Sequence, residues 1–322
     1  MTPLLSSGNS VIGALDIGGT KIAVGAVTDT GRVLSRLDCP TAPERGFEDA
    51  CRRMSEMIRA VTGAAGEKMA GIGIGCTGPV DPVAGKICQV DFLPGWEGAE
   101  IVARMSDEFR LPVALENDAD AAALGEARWG AGQRKVRFLL VTIGTGIGGG
   151  AVIDGQLYRG VNGAHPEIGH HVIDPAGPLC FCGARGCWES LASGPAMAAW
   201  MKANTTGNGE PPIALTAREI CAMAESGNEL AQRAVAREAR YLGMGVANLT
   251  TLFCPDTIAL GGGVMQSGHL FLGAIRQVMR ESCGLVPFEE TEITLAQLGG
   301  DTGLAGAACA WLHRFGQKKA RQ

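Results

Sequence analysis

Aromatic residues are scarce, at 5% of a 322-residue chain, so the 46% hydrophobic content must build its cores from Ala, Val, Ile and Leu. No apolar run approaches the length of a bilayer span, which excludes a membrane helix. Residues Met1 to Ser10 lack a charged start and a long apolar stretch, so no secretory signal is read there. A strong excess of one charge is also missing, and a net value of -5 offers no basic face to a nucleic acid. The 11 cysteines are odd in number, and Cys39, Cys51, Cys76, Cys88, Cys221, Cys254, Cys283 and Cys309 follow no shared spacing. That pattern excludes a disulfide framework and fits reduced thiols in the cytoplasm. The basic tail Lys318-Lys319-Ala320-Arg321 is expected to be disordered. What is abundant is glycine, 48 residues without a collagen period, which predicts tight turns and close backbone approaches.

The length allows two domains. Val11-Ile12-Gly13-Ala14-Leu15-Asp16 reads as a buried strand, followed by Ile17-Gly18-Gly19-Thr20-Lys21 and a second strand, Ile22 to Val27. A turn of glycines and a hydroxyl exposes backbone N–H groups that can cradle phosphate, with Thr20 and Lys21 in reach. The pattern returns at Phe138 to Ile143, where Gly144-Thr145-Gly146-Ile147-Gly148-Gly149-Gly150 is read as the turn and Ala151-Val152-Ile153 as the next strand. Such a repeat, half a chain apart, predicts duplicated α/β domains facing each other, with paired hairpins clamping a polyphosphate.

Between the copies, Phe47, Ala50, Met54, Met57, Ile58 and Val61 mark an amphipathic helix from Gly46 to Val61. The strand Ala70 to Gly75 leads into Cys76-Thr77-Gly78-Pro79-Val80-Asp81, at a strand's carboxyl end, where open α/β sheets contact ligands. Pro112 to Leu115 is a strand that runs into Glu116-Asn117-Asp118, with a helix beginning at Ala119. Asp118 at that turn is either a plain cap or a carboxylate placed to accept a hydroxyl proton, with Asn117 as a hydrogen-bonding arm. Glu126, Arg128 and Trp129 read as helix surface and packing. Farther on, Asn204 to Pro212 is a polar loop, and Ala217 to Glu225 and Glu229 to Phe253 are helices. Thr257 to Leu260 is a strand whose glycine turn, Gly261-Gly262-Gly263, permits the flat approach of an adenosine, followed by a helix around Leu270 to Met279. Glu292 to Leu298 is a strand, and Thr302 to Phe315 a small-residue helix expected to cross back onto the first domain. The domains are therefore read as 1–128 completed by 303–322, and 129–302.

The densest chemistry lies from Glu167 to Glu189. His170, Cys180, Cys182 and Cys187 offer one imidazole and three thiolates on a glycine-rich loop, a closed set that suits structural Zn²⁺. The alternatives are buried free thiols or a disulfide joining Cys182 to Cys187. His171 competes as ligand, and the histidine left over is expected to be behind the ligands or exposed.

Taken in order, D-x-G-G-T-K, E-N-D, G-T-G-x-G-G-G, E-x-G-H, C-x-C-G-x-x-G-C-x-E and L-G-G-G resemble the ROK family of sugar kinases and repressors, from Val11 to Phe315. The resemblance implies α/β architecture with duplicated actin/hexokinase-like (ribonuclease H-like) domains flanking a central cleft, usually as a homodimer. It implies an ATP- and Mg²⁺-dependent hexose kinase, most simply a glucokinase. Asp118 matches the catalytic base, and Asn117, Glu167, His170 and Glu189 match sugar contacts, with Gly78 in the loop beside them. Asp16, Gly18, Gly19, Thr20, Lys21, Gly144, Thr145, Gly146, Gly261, Gly262 and Gly263 fall in the nucleotide loops.

Two departures concern the sugar. His165-Pro166-Glu167 replaces the A-G-E of many glucokinases, a form similar to bacterial fructokinases. Asp91-Phe92-Leu93-Pro94-Gly95-Trp96 lacks the asparagine of P-N-L-x-x-W, with Asp91 as a substitute contact. Fructose and N-acetylmannosamine therefore stay open beside glucose. A sugar-responsive repressor is disfavoured, because no winged-helix segment is read ahead of Asp16 and E-N-D is intact.

Overall fold

The structure is a computed structural model that describes residues 10–205 and 215–316. The basic tail and most of the polar loop at 204–212 lie outside the described residues. The chain divides into two units: residues 10–134, Leu157–His165 and 297–316 form one, and Lys135–Gln156 with 166–205 and 215–296 form the other.

In chain order, β1 (Ser10–Ile17), β2 (Lys21–Val27) and β3 (Val33–Pro40) lead to α1 (Phe47–Ala65) and β4 (Lys68–Cys76). A small ribbon, β5 (Val80–Asp81) and β6 (Lys86–Ile87), precedes α2 (Ile101–Phe109), β7 (Val113–Asn117) and α3 (Asp118–Trp129). Then come β8 (Arg137–Ile143), β9 (Ile147–Ile153), β10 (Gln156–Leu157), α4 (Trp188–Ala192), α5 (Gly194–Asn204), α6 (Ala217–Glu225) and α7 (Glu229–Phe253). The chain closes with β11 (Thr257–Gly261), α8 (Leu272–Ser282), β12 (Glu292–Leu295) and α9 (Thr302–Phe315).

The sheets run β3-β2-β1-β4-β7 and β10-β9-β8-β11-β12, the same order twice. In each, a hairpin supplies an antiparallel pair and the next two strands join in parallel. This is the duplicated, actin-like α/β plan. β1 and β4 are buried almost throughout, as central strands covered on both faces must be.

In the first unit one face of the sheet carries α1 and α2 over Leu15, Ile17, Met54, Ile58, Ile72 and Ile74. The other face carries α9 over Ile12, Ala14, Ala23 and Ala114. Bare backbone lets α9 lie that close. A Cβ on Gly73 would fall 1.9 Å from the Ala307 carbonyl, and one on Gly306 would fall 2.5 Å from the Ala121 backbone. In the second unit α7 spans a core of Leu139, Val141, Trp188, Leu242, Val246 and Ile258. Among the described residues no helix is long and apolar enough to cross a membrane.

Three local readings change. The second glycine turn is only Gly144 to Gly146, because Gly148, Gly149 and Gly150 belong to β9. Gly149 is pressed against the Leu140 carbonyl, where a Cβ would sit 2.2 Å away, so the strand tolerates glycine for packing rather than for turning. The strand begun at Glu292 ends at Leu295. Glu126, expected at the surface, is fully buried and accepts N–H bonds from Ala131, Gln297 and Leu298. Helix α2, whose polar run Ser106-Asp107-Glu108 lies in its second half, was not read from the sequence.

Candidate active site

In the first unit the β1–β2 turn is closed by Gly18 N–H donating to the Lys21 carbonyl at 2.9 Å. Thr41 holds it from behind, its hydroxyl donating to the Gly18 carbonyl at 2.6 Å and its N–H to the Thr20 carbonyl at 3.0 Å. Thr20 and Lys21 are exposed, and the Lys21 ammonium lies 3.5 Å from Asp38. Phe92 lies over this turn: a Cβ on Gly19 would meet the Phe92 Cβ at 2.7 Å. Asp91 beside it is exposed.

Asp16 is the next-to-last residue of β1, at the foot of the same turn. Burial, and then the charge of Asp118, push its carboxyl up to about 6. A Cβ on Gly303 would fall 2.1 Å from Asp16 Oδ2, so the first turn of α9 sits directly on this carboxylate.

The strand-to-helix turn resolves the choice over capping. Asn117 is the cap, its Oδ1 accepting from Ala119 N–H at 2.9 Å and Asp120 N–H at 3.2 Å. Asp118 is the first helical residue, and its Oδ1 accepts from Ala119 N–H at 2.8 Å. Burial raises the Asp118 carboxyl above its ordinary value, opposed by the Ala119 N–H and by His165. The backbone Cα of Asp118 lies 3.7 Å from where a Gly75 Cβ would be, and the Asn117 amide nitrogen crowds Gly78 at 2.7 Å from its would-be Cβ. The end of β4, the Gly78 loop and the start of α3 thus meet around Asn117 and Asp118.

Sequence reasoning missed the cluster behind this turn. Asp120, fully buried, is bonded by His165 Nδ1 at 2.7 Å and by Arg159 Nη1, whose other nitrogen is 2.5 Å from Glu116. No spacing rule could have found it, because Leu157–His165 returns to this unit from far along the chain.

In the second unit the β8–β9 turn is closed by Gly144 N–H donating to the Gly146 carbonyl at 2.9 Å. Glu189, second residue of α4, accepts from Ile147 N–H at 2.8 Å through Oε2. A Cβ on Gly146 would fall 2.3 Å from that oxygen, so the third residue of the turn must be glycine for Glu189 to reach it. Gly194 N–H donates to the Gly144 carbonyl at 2.9 Å and fixes the other side. At the end of β11, Gly262 has φ +88° and lies against the Ile143 backbone, which no side chain would permit.

The Cys/His knot is assembled in the same unit. One ligand atom from each of His170, Cys180, Cys182 and Cys187 lies within 4.8 Å of the others. Cys180 Sγ is 3.5 Å from His170 Nδ1, and Cys182 Sγ is 3.5 Å from Cys187 Sγ. All three cysteines are free thiols, so the disulfide alternative is not what the structure holds. A tetrahedral ion with bonds of about 2.3 Å to sulfur needs S···S edges of about 3.8 Å, close to the spacing present. His171 points elsewhere: its Nδ1 bonds the Ile168 carbonyl at 2.5 Å and its ring packs on Trp188. Glu167 is exposed and precedes the single turn Ile168–His170.

A family model described as "ROK family" matches residues 12–314. The chain is 37% identical to a glucokinase of Streptomyces coelicolor over 91% of its own length and 95% of that protein's. Among solved structures it resembles a ROK hexokinase from Thermus thermophilus, with TM-score 0.79 and 35% identity, covering 94% of this chain and 99% of that one. It also resembles a ROK family glucokinase from Streptomyces griseus in complex with glucose and AMPPNP, with TM-score 0.79 and 36% identity over 92% and 98% of the two chains.

Proposed function

We propose, from the premise that this chain belongs to the ROK family, the residue roles of an ATP-dependent hexose kinase acting on glucose. The sugar-kinase activity itself follows from relatives that match nearly end to end. The observation that carries the base assignment is half-buried Asp118 at the head of α3, which accepts from the Ala119 N–H and whose carboxyl is raised by desolvation. A raised, partly shielded carboxylate is suited to take the proton of a sugar hydroxyl as that oxygen attacks phosphorus.

Phosphoryl transfer asks for positioning and charge compensation more than covalent help. In the first unit Asn117, Gly78 and Asp91 are proposed to orient the sugar, and Gly18, Gly19, Thr20 and Lys21 to receive phosphate oxygens. In the second unit Gly144, Thr145 and Gly146 are proposed to do the same. Gly261, Gly262 and Gly263 would accept the adenosine, and Glu167, His170 and Glu189 the sugar hydroxyls. Mg²⁺ bound with ATP supplies charge neutralisation at the phosphates. Asp16 fits a role facing it, because two half-buried carboxylates that repel each other favour a nearby cation.

For the knot we propose structural zinc. Three thiolates and an imidazole match its preferences, and the ligand spacing leaves no position open. Burial pushes Cys187 up to about 12 while the Ala184 N–H pulls Cys182 down, a disparity that a central cation would override. The ion would pin the loop between Glu167 and Glu189. The homodimer and cytoplasmic location implied by the family belong to the same reading.

Asp118→Asn tests the centre of the proposal. It should lower kcat/KM by about 10²-fold or more while sugar binding by calorimetry stays within a few-fold. Retained turnover would remove Asp118 as base. A coupled ADP-release screen over glucose, N-acetylmannosamine and fructose decides the sugar, and another sugar preferred by tenfold would replace glucose.

A further inference from the structure

His165, with Pro166, is where this chain departs from the A-G-E form, and the roles above leave it unused. Its Nδ1 lies 2.7 Å from Asp120 Oδ2, and Arg159 bonds the same oxygen. Asp120 Oδ1 is buried and has no hydrogen-bond partner among the described residues. Arg159 is shared, since its Nη2 is 2.5 Å from Glu116. One guanidinium therefore serves two carboxylates, Glu116 and Asp120, which flank Asp118 in the chain. Buried carboxylates left without a counter-charge are strongly unfavourable, and an imidazolium at 165 supplies what is missing.

We infer that His165 is a positioning residue for Asp118: anchored on Asp120, it places a positive charge beside the base and, with Arg159, ties Leu157–His165 to the first turn of α3. This rests on the reading of Asp118 as base. His165 opposes the upward pull of burial on the Asp118 carboxyl, which keeps the base ionised at lower pH. The groups acting on Asp118 are Asp16 on β1, Cys76 on β4, Asp120 on α3 and His165 on the returning segment, while Glu116 on β7 and Asp120 are held by Arg159. Lys21 and Arg36 act on Asp16, and Arg159 and Arg128 both act on His313. Of these, His165 is the cation whose charge a conservative substitution can remove while an N–H for Asp120 is kept.

His165→Asn does that. Aspartate-selective ¹³C labelling follows the Asp118 carboxyl through pH, its resonance identified by Asp118→Asn, in a readout that needs no turnover. The Asp118 midpoint should rise by about half a unit to one unit in His165→Asn. The acid limb of the kcat/KM profile should move with it, giving a loss of about three- to tenfold at pH 6 and less than about twofold at pH 8.5. His165→Gln serves as a second variant if asparagine loosens the segment. An unmoved midpoint, or equal losses at every pH, would overturn the inference in an otherwise active kinase. A wild type inactive on every sugar would instead remove the proposed function, and the carboxyl titration would still decide the role of His165.

Discussion

Replacing Glu238 with glutamine should change how the stability of the protein depends on pH. Glu238 lies on α7 with no exposed surface, and neither carboxyl oxygen has a hydrogen-bond partner among the described residues. Burial pushes its carboxyl from an ordinary 4.5 up to about 8, against a smaller downward pull from Arg237. The sign follows from proton counting. Between these two values the unfolded chain has released the proton while the folded chain still holds it, so stability falls as pH rises. Above about 8 the loss is complete. At about 1.4 kcal/mol per pH unit, the ceiling is about 5 kcal/mol.

Glutamine keeps the shape and the burial cost of a neutral polar group but cannot titrate. The variant and the wild type should therefore be nearly equal at pH 5, and the variant more stable by about 3 kcal/mol at pH 7. Urea unfolding of the full chain at pH 5, 7 and 9 measures this, with tryptophan fluorescence as the probe. Trp188 is a suitable reporter, since its ring packs against α7 at Gly245. Comparing the variant with the wild type cancels Asp16, the other acid strongly raised by burial. A difference that stays constant across pH would refute the reasoning, because it would mean that Glu238 is ionised in the folded protein.

Other expectations are more local. Metal analysis of the purified protein should find one zinc per chain, and Cys182→Ser should lower metal content and kcat/KM together; a metal-free wild type with full activity would return the cysteines to ordinary thiols. Glu126→Ala should cost about 3 kcal/mol or more in thermal unfolding, because the N–H groups of Ala131, Gln297 and Leu298 lose their acceptor in the interior. A change within about 0.5 kcal/mol would show that water replaces the carboxylate. Phe92→Asn should raise kcat/KM for glucose by about three- to tenfold, the worth of one added hydrogen bond near the turn at Gly19. No change would place residue 92 outside sugar recognition.

Local physics made much of the fold legible. The helices Ala217–Glu225, Glu229–Phe253 and Thr302–Phe315 were read to the residue, since apolar periodicity and caps such as Thr216 and Asn228 lie within the segments themselves. The strand at β8 and the hairpins were equally readable from β-branched runs broken by glycine and threonine. The short helix α2 was not, because nine residues give the pattern little length to repeat. Glycines misled the reading where they serve packing. Gly148 to Gly150 look like a turn in one dimension and are a strand pressed on its neighbours in three.

The sequence by itself determined the duplicated plan, the ROK membership, the Cys/His set and the aspartate at the head of α3, because each depends on residues close together in the chain. Tertiary structure alone decided that Asn117 rather than Asp118 caps the helix, that Glu189 reaches back to the β8–β9 turn, and that Glu126 is an interior acceptor. It also decided that Arg159 and His165 meet on Asp120, two residues past Asp118. Apart from the local cap at Asn117, those pairings join residues tens of positions apart or more, and their energies come from burial and charge compensation, neither of which exists until the chain has folded.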